Sequence, residues 1–486
     1  MIERTQFYID GKWVAPLAAH RHTVVDPSTQ QPCAVISLGT AADADRAVAA
    51  AKRAFDSWSQ TAPQERLGIV EKILASYKRR ARDIAEAIST EMGAPIDMAL
   101  ESQTGAGAWH IENFIAAFRD YKFLRPLGEH APDDRISMEP IGVVGLITPW
   151  NWPMNQVTLK VIPALLAGCT MVLKPSEIAP LSSMIFAECI DEAGVPPGVF
   201  NLVNGDGAGV GTRLSAHPDV AMISFTGSTR AGIAISRAAA DTLKRVVLEL
   251  GGKGANIIFA DADPKAVKRG AIHCFNNTGQ SCNAPTRMLV ERSIYAQAVE
   301  TAKAAAESVQ VGSAHEPGKH IGPLASEAQF NKVQDLIRKG IAEGARLVTG
   351  GLGRPEGFEK GYYVRPTVFA DVNNQMTVAR EEIFGPVLSI LPFDTEEEAV
   401  AITNDTPYGL TNYVQTRDGA RRNRLALLSR SGMVEMNGKP RGAGAPFGGV
   451  KASGRAREGG IWGIEEFLEA KSISGWAAEA EAEAEA

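Results

Sequence analysis

The chain has 486 residues, more than one hydrophobic core can organise, so two or three domains are expected. A hydrophobic fraction of 45% and a charged fraction of 22% are typical of an ordinary globular protein. The net charge of -6 comes from 50 basic and 56 acidic residues without a long basic stripe, which argues against nucleic acid as a partner.

Cysteine usage and hydropathy indicate the compartment. Five cysteines are too few for a disulfide framework at this length and fit a reducing environment. No Cys-x-x-Cys or His-x-x-x-His pair occurs, so no metal site is predicted. The first 14 residues lack the apolar segment of a secretory signal. The longest apolar run, residues 161–173, is too short to cross a bilayer. We therefore expect a soluble, cytoplasmic protein without a membrane partner.

The N-terminal part is predicted to be mainly helical. Residues 7–14 indicate two short strands joined by a turn at Asp10-Gly11. Apolar residues at helical spacing then predict helices over residues 43–58, 63–82, 83–92 and 98–121. The simplest interpretation of this part is a packed helical layer without a site.

Alternating strands and helices begin at residue 141. Strands are predicted at residues 141–147, 170–174, 199–203, 221–225 and 246–250, with helices over residues 154–167, 181–193, 207–216 and 230–243. Apolar strands joined by helical crossovers predict a doubly wound parallel sheet. A second alternating region over residues 255–440 predicts a second α/β domain, with strands at residues 255–259, 287–290, 346–349, 387–392 and 433–436.

Several predicted strands end in polar or glycine-rich segments. These are residues 148–151, 174–177, 204–207, 226–228 and 249–252. Doubly wound sheets bind ligands at the carboxyl ends of their strands. The glycines at positions 205, 207, 209 and 211 alone are explained by turns, and the dinucleotide fingerprint Gly-x-Gly-x-x-Gly does not follow the first strand. The five polar ends together predict one ligand crevice.

Two residues have unusual settings. Cys282 lies between small and polar residues, whereas Cys169 lies in an apolar run and Cys274 beside Phe275. Its neighbours are suited to solvating a thiolate, although composition alone favours a structural cysteine. Glu249 ends an apolar strand, where a buried carboxylate is costly, and this favours a functional role.

Seven motifs in this order resemble the aldehyde dehydrogenase superfamily, of the NAD(P)-dependent, non-acylating kind. They are Pro149-Trp150-Asn151-Trp152-Pro153, Lys174-Pro175-Ser176-Glu177, Phe225-Thr226-Gly227-Ser228-Thr229, Glu249-Leu250-Gly251-Gly252-Lys253, Gly279-Gln280-Ser281-Cys282, Glu381-Glu382-Ile383-Phe384-Gly385-Pro386-Val387 and Pro446-Phe447-Gly448-Gly449-Val450-Lys451. The resemblance extends over residues 5–475.

The resemblance implies two doubly wound, Rossmann-like α/β domains and a small bridging β element that joins subunits. The coenzyme-binding domain would comprise residues 1–121 and 141–250, and the catalytic domain residues 251–452. Residues 122–140 and 466–476 would form the bridging element of a homo-oligomer, either a dimer or a tetramer. The tail, residues 477–486, alternates alanine and glutamate, is of low complexity, and is assigned no function.

The implied reaction is the oxidation of a small-molecule aldehyde to the carboxylic acid. Cys282 would be the nucleophile, and Asn151 with the backbone N–H of Cys282 would stabilise the alkoxide. Glu249 would activate the water that hydrolyses the thioester, which argues against a coenzyme A-acylating relative. Lys160 and Glu458 match positions of a proton relay, and a surface ion pair is the alternative interpretation.

The implied cofactor is NAD, because Glu177 would repel a 2′-phosphate; Ser176 leaves space, so NADP remains open. The predicted cofactor residues are Ile147, Thr148, Pro149, Trp150, Lys174, Ser176, Glu177, Gly207, Gly211, Phe225, Thr226, Gly227, Ser228, Leu250, Gly251, Gln329, Lys332, Glu382 and Phe384. Phosphates would meet the backbone amides of a helix N-terminus.

The predicted substrate pocket is mostly neutral and polar. Its residues are Asn155, Gln156, Leu159, Asn276, Ser281, Asn283, Arg441 and Phe447. Because polar groups beside an alkyl chain would lose water without compensation, we expect a hydroxy-, ether- or heteroaryl-bearing aldehyde. The alternative is a semialdehyde dehydrogenase in which Arg441 holds the substrate carboxylate. A non-catalytic NAD-binding protein and a cofactor-free thiol esterase are the competing functions.

Overall fold

The structure is a computed structural model, and it describes residues 1–18 and 20–477. The predicted low-complexity tail lies outside these residues, except for Ala477. The strands of the first half are β1 (Ile2–Arg4), β2 (Phe7–Ile9), β3 (Lys12–Val14), β4 (Arg21–Asp26), β5 (Gln31–Ser37), β6 (Leu124–Gly128), β7 (Ala131–Pro140), β8 (Val143–Ile147), β9 (Thr170–Lys174), β10 (Phe200–Leu202), β11 (Met222–Thr226) and β12 (Arg245–Glu249). Those of the second half are β13 (Ala255–Ile258), β14 (Arg287–Glu291), β15 (Arg346–Thr349), β16 (Thr367–Ala370), β17 (Val387–Phe393), β18 (Thr411–Gln415), β19 (Met433–Met436) and β20 (Leu468–Ser474).

The helices are α1 (Ala41–Trp58), α2 (Pro63–Arg79), α3 (Ala81–Met92), α4 (Ile96–Met98), α5 (Gly105–Arg119), α6 (Pro153–Ala167), α7 (Leu181–Glu192), α8 (Thr212–Ala216), α9 (Thr229–Ala239), α10 (Ala266–Phe275), α11 (Tyr295–Ser308), α12 (Glu327–Ala342), α13 (Thr377–Arg380), α14 (Glu396–Asn404), α15 (Gly419–Leu428) and α16 (Gly460–Glu465). Helices α1 to α5 follow one another between β5 and β6, and most of the later helices connect strands.

The first large sheet has seven strands in the order β12-β11-β8-β9-β10-β2-β3. The five strands from β8 to β12 are parallel, as predicted, and the N-terminal hairpin β2–β3 extends the sheet in antiparallel fashion. The turn of this hairpin, Asp10 and Gly11, has φ angles of 55° and 73°, which suit a tight turn between two antiparallel strands. Thr226 and Glu249 form the last pair of β11 and β12, so these side chains end at one edge of the sheet.

The second large sheet also has seven strands, in the order β15-β16-β17-β14-β13-β18-β19. All neighbours are parallel except β15 and β16. Strands β16 and β18 were not predicted. Strand β18 is buried although its sequence is Thr-Asn-Tyr-Val-Gln, and the side chains of Asn412, Tyr413 and Gln415 find partners inside the protein. The Asn412 side chain, for example, accepts a hydrogen bond from the backbone N–H of Ala255 at 3.0 Å.

Two smaller sheets have three strands each. Strands β6, β7 and β20 form an antiparallel sheet in the order β20-β7-β6, which joins the two segments predicted to form the bridging element. The division of the chain into coenzyme, catalytic and bridging domains stays a prediction. The other sheet, β1-β5-β4, was not predicted, because its short strands carry exposed polar residues.

Two predicted helices are interrupted. The segment predicted as a helix over residues 207–216 is a π-helical turn, Gly207–Gly211, followed by the five-residue helix α8. Its three glycines disfavour a regular helix. The helix predicted over residues 98–121 begins with a π-helical segment, Ala99–Thr104, before α5. Such π segments frequently mark functional sites.

Helix α6 carries several predicted site residues and is almost entirely buried. It begins with Pro153, whose fixed φ suits a first helical position, and ends before Gly168, whose φ of 94° closes the helix. Along the strands of each large sheet, successive buried residues belong to two different hydrophobic clusters, one on each face of the sheet. Both faces of each sheet are therefore covered by helices. Among the described residues, no helix is long and apolar enough to cross a membrane.

Candidate active site

A cavity of about 200 Å³ lies at the carboxyl ends of strands β8, β11 and β12. Loops from the second large sheet close its other side. Its thirteen lining residues all belong to the predicted catalytic and cofactor sets: Pro149, Trp150, Asn151, Thr226, Gly227, Ser228, Leu250, Gly251, Cys282, Gln329, Lys332, Glu382 and Phe384. Residues distant in sequence therefore meet where the polar strand ends were expected to converge.

The backbone that leads to Cys282 has an unusual conformation. Asn277, Thr278 and Gly279 have successive φ angles of 51°, 57° and 71°. A β-carbon on Gly279 would lie 2.1 Å from the carbonyl oxygen of Gly385. The Gln280 side chain ties the loop to the core, since its Oε1 accepts from the N–H of Ala325 at 2.9 Å. Such strain persists only where the surroundings enforce it.

This geometry predicts a specific sensitivity at Gly279. We expect Gly279→Ala to lower the free energy of unfolding by about 3 kcal/mol, since left-handed strain adds to overpacking against Gly385. Gly194→Ala is the matched control, because Gly194 has a φ of 76° but nothing within 4 Å of its added β-carbon. It should lose only about 1 kcal/mol. Urea-induced unfolding measures both losses, and equal losses would contradict the close approach to Gly385.

Cys282 is half-buried, and its surroundings favour the neutral thiol. Burial raises the pKa of the thiol, and the nearby carboxylates of Glu249, Glu382 and Glu458 raise it further. The raised pKa of Cys282 differs from the sequence-based expectation that its neighbours solvate a thiolate. The difference arises because the fold buries the thiol and brings carboxylates from distant segments of the chain close to it. Ionisation of Cys282 therefore requires a positive charge beside it.

Asn151 is buried and firmly held. Its side-chain Nδ2 donates one hydrogen bond to the carbonyl oxygen of Gln280 at 3.0 Å, and no second acceptor for this group occurs in the described part of the chain. Its own carbonyl oxygen accepts from Gln103 Nε2 at 3.1 Å and from Asn277 Nδ2 at 3.0 Å. The contact of Gln103 with Asn151 was not predicted from the sequence. The one feature that marks Gln103 is that it is a polar residue in the π-helical segment that precedes α5.

Glu249 is 2% exposed, and neither of its carboxylate oxygens has a hydrogen-bond partner within residues 1–18 and 20–477. Burial and the charge of Glu458 raise the pKa of Glu249 well above its usual value, while Lys160 opposes this shift. Lys160 and Glu458 form an ion pair at 2.5 Å with side chains only 0% and 5% exposed. The alternative interpretation of these two residues as a surface pair is therefore wrong.

The cofactor side of the cavity combines backbone amides with polar side chains. Ser228 caps α9 by accepting from the N–H of Ala231 at 3.2 Å, and the buried Thr226 hydroxyl finds no partner among the residues that the structure describes. Glu382 Oε1 accepts from the N–H of Gly252 at 2.7 Å. A β-carbon on Gly251 would lie 2.3 Å from the other oxygen of Glu382, so only glycine allows this approach.

Aromatic and amide side chains support that side. The rings of Trp150 and Phe384 meet edge to face, with centroids 5.6 Å apart. Phe384 adopts a φ of 60°, and Gln329 Nε2 donates to its carbonyl oxygen at 2.7 Å. These contacts fix the wall of the cavity opposite Cys282.

The other predicted cofactor residues lie outside this cavity: Ile147, Thr148, Lys174, Ser176, Glu177, Gly207, Gly211 and Phe225. The Lys174 ammonium donates to the carbonyl oxygens of Gly205 at 2.5 Å and Pro175 at 2.8 Å, and pairs with Glu177 at 3.4 Å. Its burial lowers the pKa of Lys174. The three protons of this ammonium are thus already engaged.

A second cavity lies beside α5 and α6. Of the predicted substrate residues, Asn155, Leu159, Arg441 and Phe447 line it, together with Glu458. The other four, Gln156, Asn276, Ser281 and Asn283, do not. Ser281 Oγ instead accepts from Trp152 Nε1 at 2.8 Å, and the Asn283 carbonyl oxygen accepts from the Tyr413 hydroxyl at 2.6 Å. Sequence reasoning missed the α5 side of this cavity: Trp109, His110, Asn113 and Phe114.

The fold and cavity define a protein with two doubly wound sheets and a cysteine at the crevice between their loops. A model of the aldehyde dehydrogenase family matches residues 13–473. A 3-succinoylsemialdehyde-pyridine dehydrogenase from a Pseudomonas species is 52% identical over 478 residues, which cover 98% of this chain and 99% of that protein.

Solved structures are similar over the same length. A crystal structure of an aldehyde dehydrogenase from Bartonella henselae is 64% identical, with a TM-score of 0.97 over 98% of this chain and 100% of that one. Aldehyde dehydrogenase C from Pseudomonas syringae, crystallised as a cysteine-to-alanine mutant with NAD+ and octanal, is 49% identical, with a TM-score of 0.95 over 97% of each chain. The chain belongs to the aldehyde dehydrogenase family, which confirms the resemblance and the predicted fold class.

Proposed function

We propose that this protein oxidises an aldehyde to the carboxylic acid with NAD+ and water, through a thioester on Cys282. In this reaction R–CHO, NAD+ and H2O give R–COOH, NADH and H+. The observation that best supports it is the meeting of Cys282 and Asn151 in one cavity, with the unpartnered carboxylate of Glu249 close enough to act on the thiol.

In the first step the Cys282 thiol releases its proton to water, Sγ bonds to the carbonyl carbon, and the carbonyl oxygen becomes an alkoxide. The second Nδ2–H of Asn151 and the backbone N–H of Cys282 are available to stabilise that oxygen. Removing one such donor typically costs about 2.7–4 kcal/mol of barrier. When bound, oxidised nicotinamide supplies the positive ring that accepts a hydride from the thiohemiacetal carbon. The carbon is then held as a thioester.

Hydrolysis completes the reaction. Glu249 takes a proton from water, the hydroxide attacks the thioester carbon, and the Cys282 sulfur leaves as the carboxylic acid forms. The proton then passes from Glu249 toward the buried pair of Lys160 and Glu458. The second oxygen of Glu458 has no partner among the described residues, and Glu458 lines the second cavity, which would give the proton a way out.

The residues present suit a nicotinamide dinucleotide. The Thr226 hydroxyl is buried without a partner on the cavity wall, and the N-terminus of α9 offers free backbone amides to an anion. Glu382 and Lys332 would hold the nicotinamide ribose. Glu177 carries a negative charge beside Lys174, which supports NAD over NADP because a 2′-phosphate would be repelled.

The substrate we propose is a polar, uncharged aldehyde. Support comes from the neutral polar residues around the second cavity and from the relative named for a pyridine-bearing semialdehyde. The relative crystallised with octanal makes an alkyl aldehyde the competing substrate. Equal kcat/KM values for hexanal and for its ether or hydroxyl analogues would contradict the preference for a polar substrate.

We also propose that the protein acts as a homo-oligomer. The three-stranded sheet β20-β7-β6 ends in two edge strands whose residues are largely exposed. Unpaired edge strands are ready to pair with another chain. Sedimentation of the purified protein distinguishes a dimer or tetramer from a monomer.

One experiment separates this function from its competitors. The purified protein is incubated with a panel of aldehydes, with and without NAD+, and NADH is followed by its absorbance. We expect NADH only when both reactants are present. A binding protein would form none, and an esterase would cleave esters without NAD+ while leaving aldehydes unchanged.

The raised pKa of Glu249 predicts a pH dependence. A general base acts only when deprotonated, so the rate of a hydrolysis-limited turnover should rise as the pH passes the raised pKa of Glu249, above its usual 4.5. Because the shift is upward, the acid limb of the profile of kcat moves toward neutral pH. A profile of kcat whose acid limb lies at or below pH 4.5 would contradict this assignment.

A further inference from the structure

The second cavity has a volume of about 50 Å³, enough for a small group such as a carbonyl. Two of its lining residues, Asn113 on α5 and Glu458, each have a buried polar atom, Nδ2 and Oε2, without a hydrogen-bond partner in the described part of the chain. Buried polar groups in folded proteins are nearly always paired, and leaving one unpaired is costly. These atoms therefore point to a ligand group or water that completes the cavity.

His110 sets the orientation of Asn155 on the cavity wall. The His110 Nε2 and Asn155 Oδ1 atoms are 2.8 Å apart. Burial lowers the pKa of His110 to about 4, with the charge of Arg441 acting in the same direction, so the ring is neutral at neutral pH. An amide oxygen only accepts, so Nε2 carries the proton and donates it. The amide Nδ2 of Asn155 consequently has no partner among the described residues and remains for a ligand in the cavity that Asn155 lines.

The charges around the cavity do not favour an anion. The Arg441 guanidinium lies 4.6 Å from the centroid of the Phe447 ring, and its Nε donates to Glu435 at 3.1 Å. Its positive charge is therefore balanced by Glu435. The carboxylate of Glu458, which lines the same cavity, is likewise balanced by Lys160. The described residues that line the cavity therefore offer no unbalanced cation to a substrate carboxylate, which favours a neutral group.

Two residues connect this cavity with the nucleophile. Glu458 lines the cavity, and its charge acts on the Cys282 thiol. The Tyr413 hydroxyl donates to the carbonyl oxygen of Asn283, the residue after Cys282, and the charges of Glu435 and Arg441 reach Tyr413. On the outer side, Trp109 is 43% exposed and contacts His110 edge to face, with centroids 4.9 Å apart.

We propose that this cavity is a specificity subsite for a neutral hydrogen-bond acceptor on the substrate, an inference that rests on the proposed function. Asn155, with Asn113, would donate to a ketone oxygen carried a few bonds from the aldehyde carbon. The flat faces of Trp109 and of the Arg441 guanidinium would receive an aromatic ring. The substrate class is thus an aryl ketone aldehyde, and His110 is a positioning residue for Asn155.

The test compares two aldehydes that differ only in the ketone, 4-oxo-4-phenylbutanal and 4-phenylbutanal. We expect the unmodified protein to prefer the first in kcat/KM by about tenfold or more, which corresponds to about 1.4 kcal/mol. Asn155→Leu should reduce this ratio about tenfold, and so should His110→Leu. His110→Gln should restore the ratio, because its amide can still donate to Asn155. Asn423→Leu, at an exposed position on α15, is the matched control and should keep it.

The outcomes distinguish the subsite from the chemistry. If Asn155→Leu oxidises both aldehydes with the same ratio of kcat/KM values as the unmodified protein, the subsite is refuted and the proposed function is unaffected. A preference for succinic semialdehyde over the aryl ketone that disappears in Arg441→Ala also overturns it, in favour of a carboxylate site. Failure of the unmodified protein to oxidise any aldehyde overturns the proposed function and the subsite together.

Discussion

Replacing Cys282 by serine is expected to lower NADH formation by at least about 10³-fold with every aldehyde. Serine keeps the volume and polarity of the side chain, so the loop should keep its fold. A hydroxyl is far less acidic than a thiol, and the carboxylates around this position oppose ionisation further. Without the bond to sulfur, no tetrahedral alkoxide forms, and the aldehyde carbon does not release hydride.

Cys274→Ser is the matched control for this variant. Cys274 lies eight positions earlier on α10, is fully buried, and donates to the carbonyl oxygen of Val387. A serine there can make the same contact, so kcat/KM should stay near that of the parent. Rates of NADH formation and thermal unfolding curves of both variants separate lost chemistry from lost structure. Full turnover in Cys282→Ser would refute the thioester route.

Replacing Glu249 by glutamine is expected to stop the reaction after one turnover. The thiohemiacetal still forms and loses its hydride, since those steps use Cys282 and Asn151. Glutamine cannot take a proton from water, so the thioester accumulates and the steady-state rate falls by about 10²–10⁴-fold. Rapid mixing should show a burst of NADH of about one equivalent per active site, followed by slow turnover.

Intact mass spectrometry of the quenched Glu249→Gln protein checks the same prediction directly. The mass should rise by that of the acyl group, and the added mass should disappear in Cys282→Ser combined with Glu249→Gln. Glu192→Gln is the control, because Glu192 is a surface carboxylate that pairs with Arg79. Loss of the burst itself in Glu249→Gln would place this carboxylate in the first half of the reaction instead.

Lys160 and Glu458 show how burial changes the interpretation of a charged pair. On the surface such a pair contributes little to stability and needs no function. Here both side chains are almost fully enclosed, where desolvation is expensive, and they lie beside the equally enclosed Glu249. A buried chain of a carboxylate, an ammonium and a second carboxylate is suited to moving a proton, which the sequence motifs alone could not show.

The sequence by itself determined the two parallel sheets, their crossover helices and the residues of the main cavity. Apolar strands, helical periodicity and polar strand ends are local signals, and eleven of the thirteen lining residues stood in the seven motifs, whereas Gln329 and Lys332 were expected only from the family resemblance. The unpredicted strand β18 shows the limit, because its polar residues became buried only through partners such as Ala255.

Only the tertiary structure decided the electrostatic state of the site. The pKa of the Cys282 thiol is raised first by burial and then by carboxylates that lie 33, 100 and 176 positions away in the chain, at Glu249, Glu382 and Glu458. The left-handed loop at Gly279 is enforced by Gly385, and the subsite at Asn155 depends on His110 from another helix. Charge, strain and orientation depend on distances in space, and local sequence patterns carry no direct record of those distances.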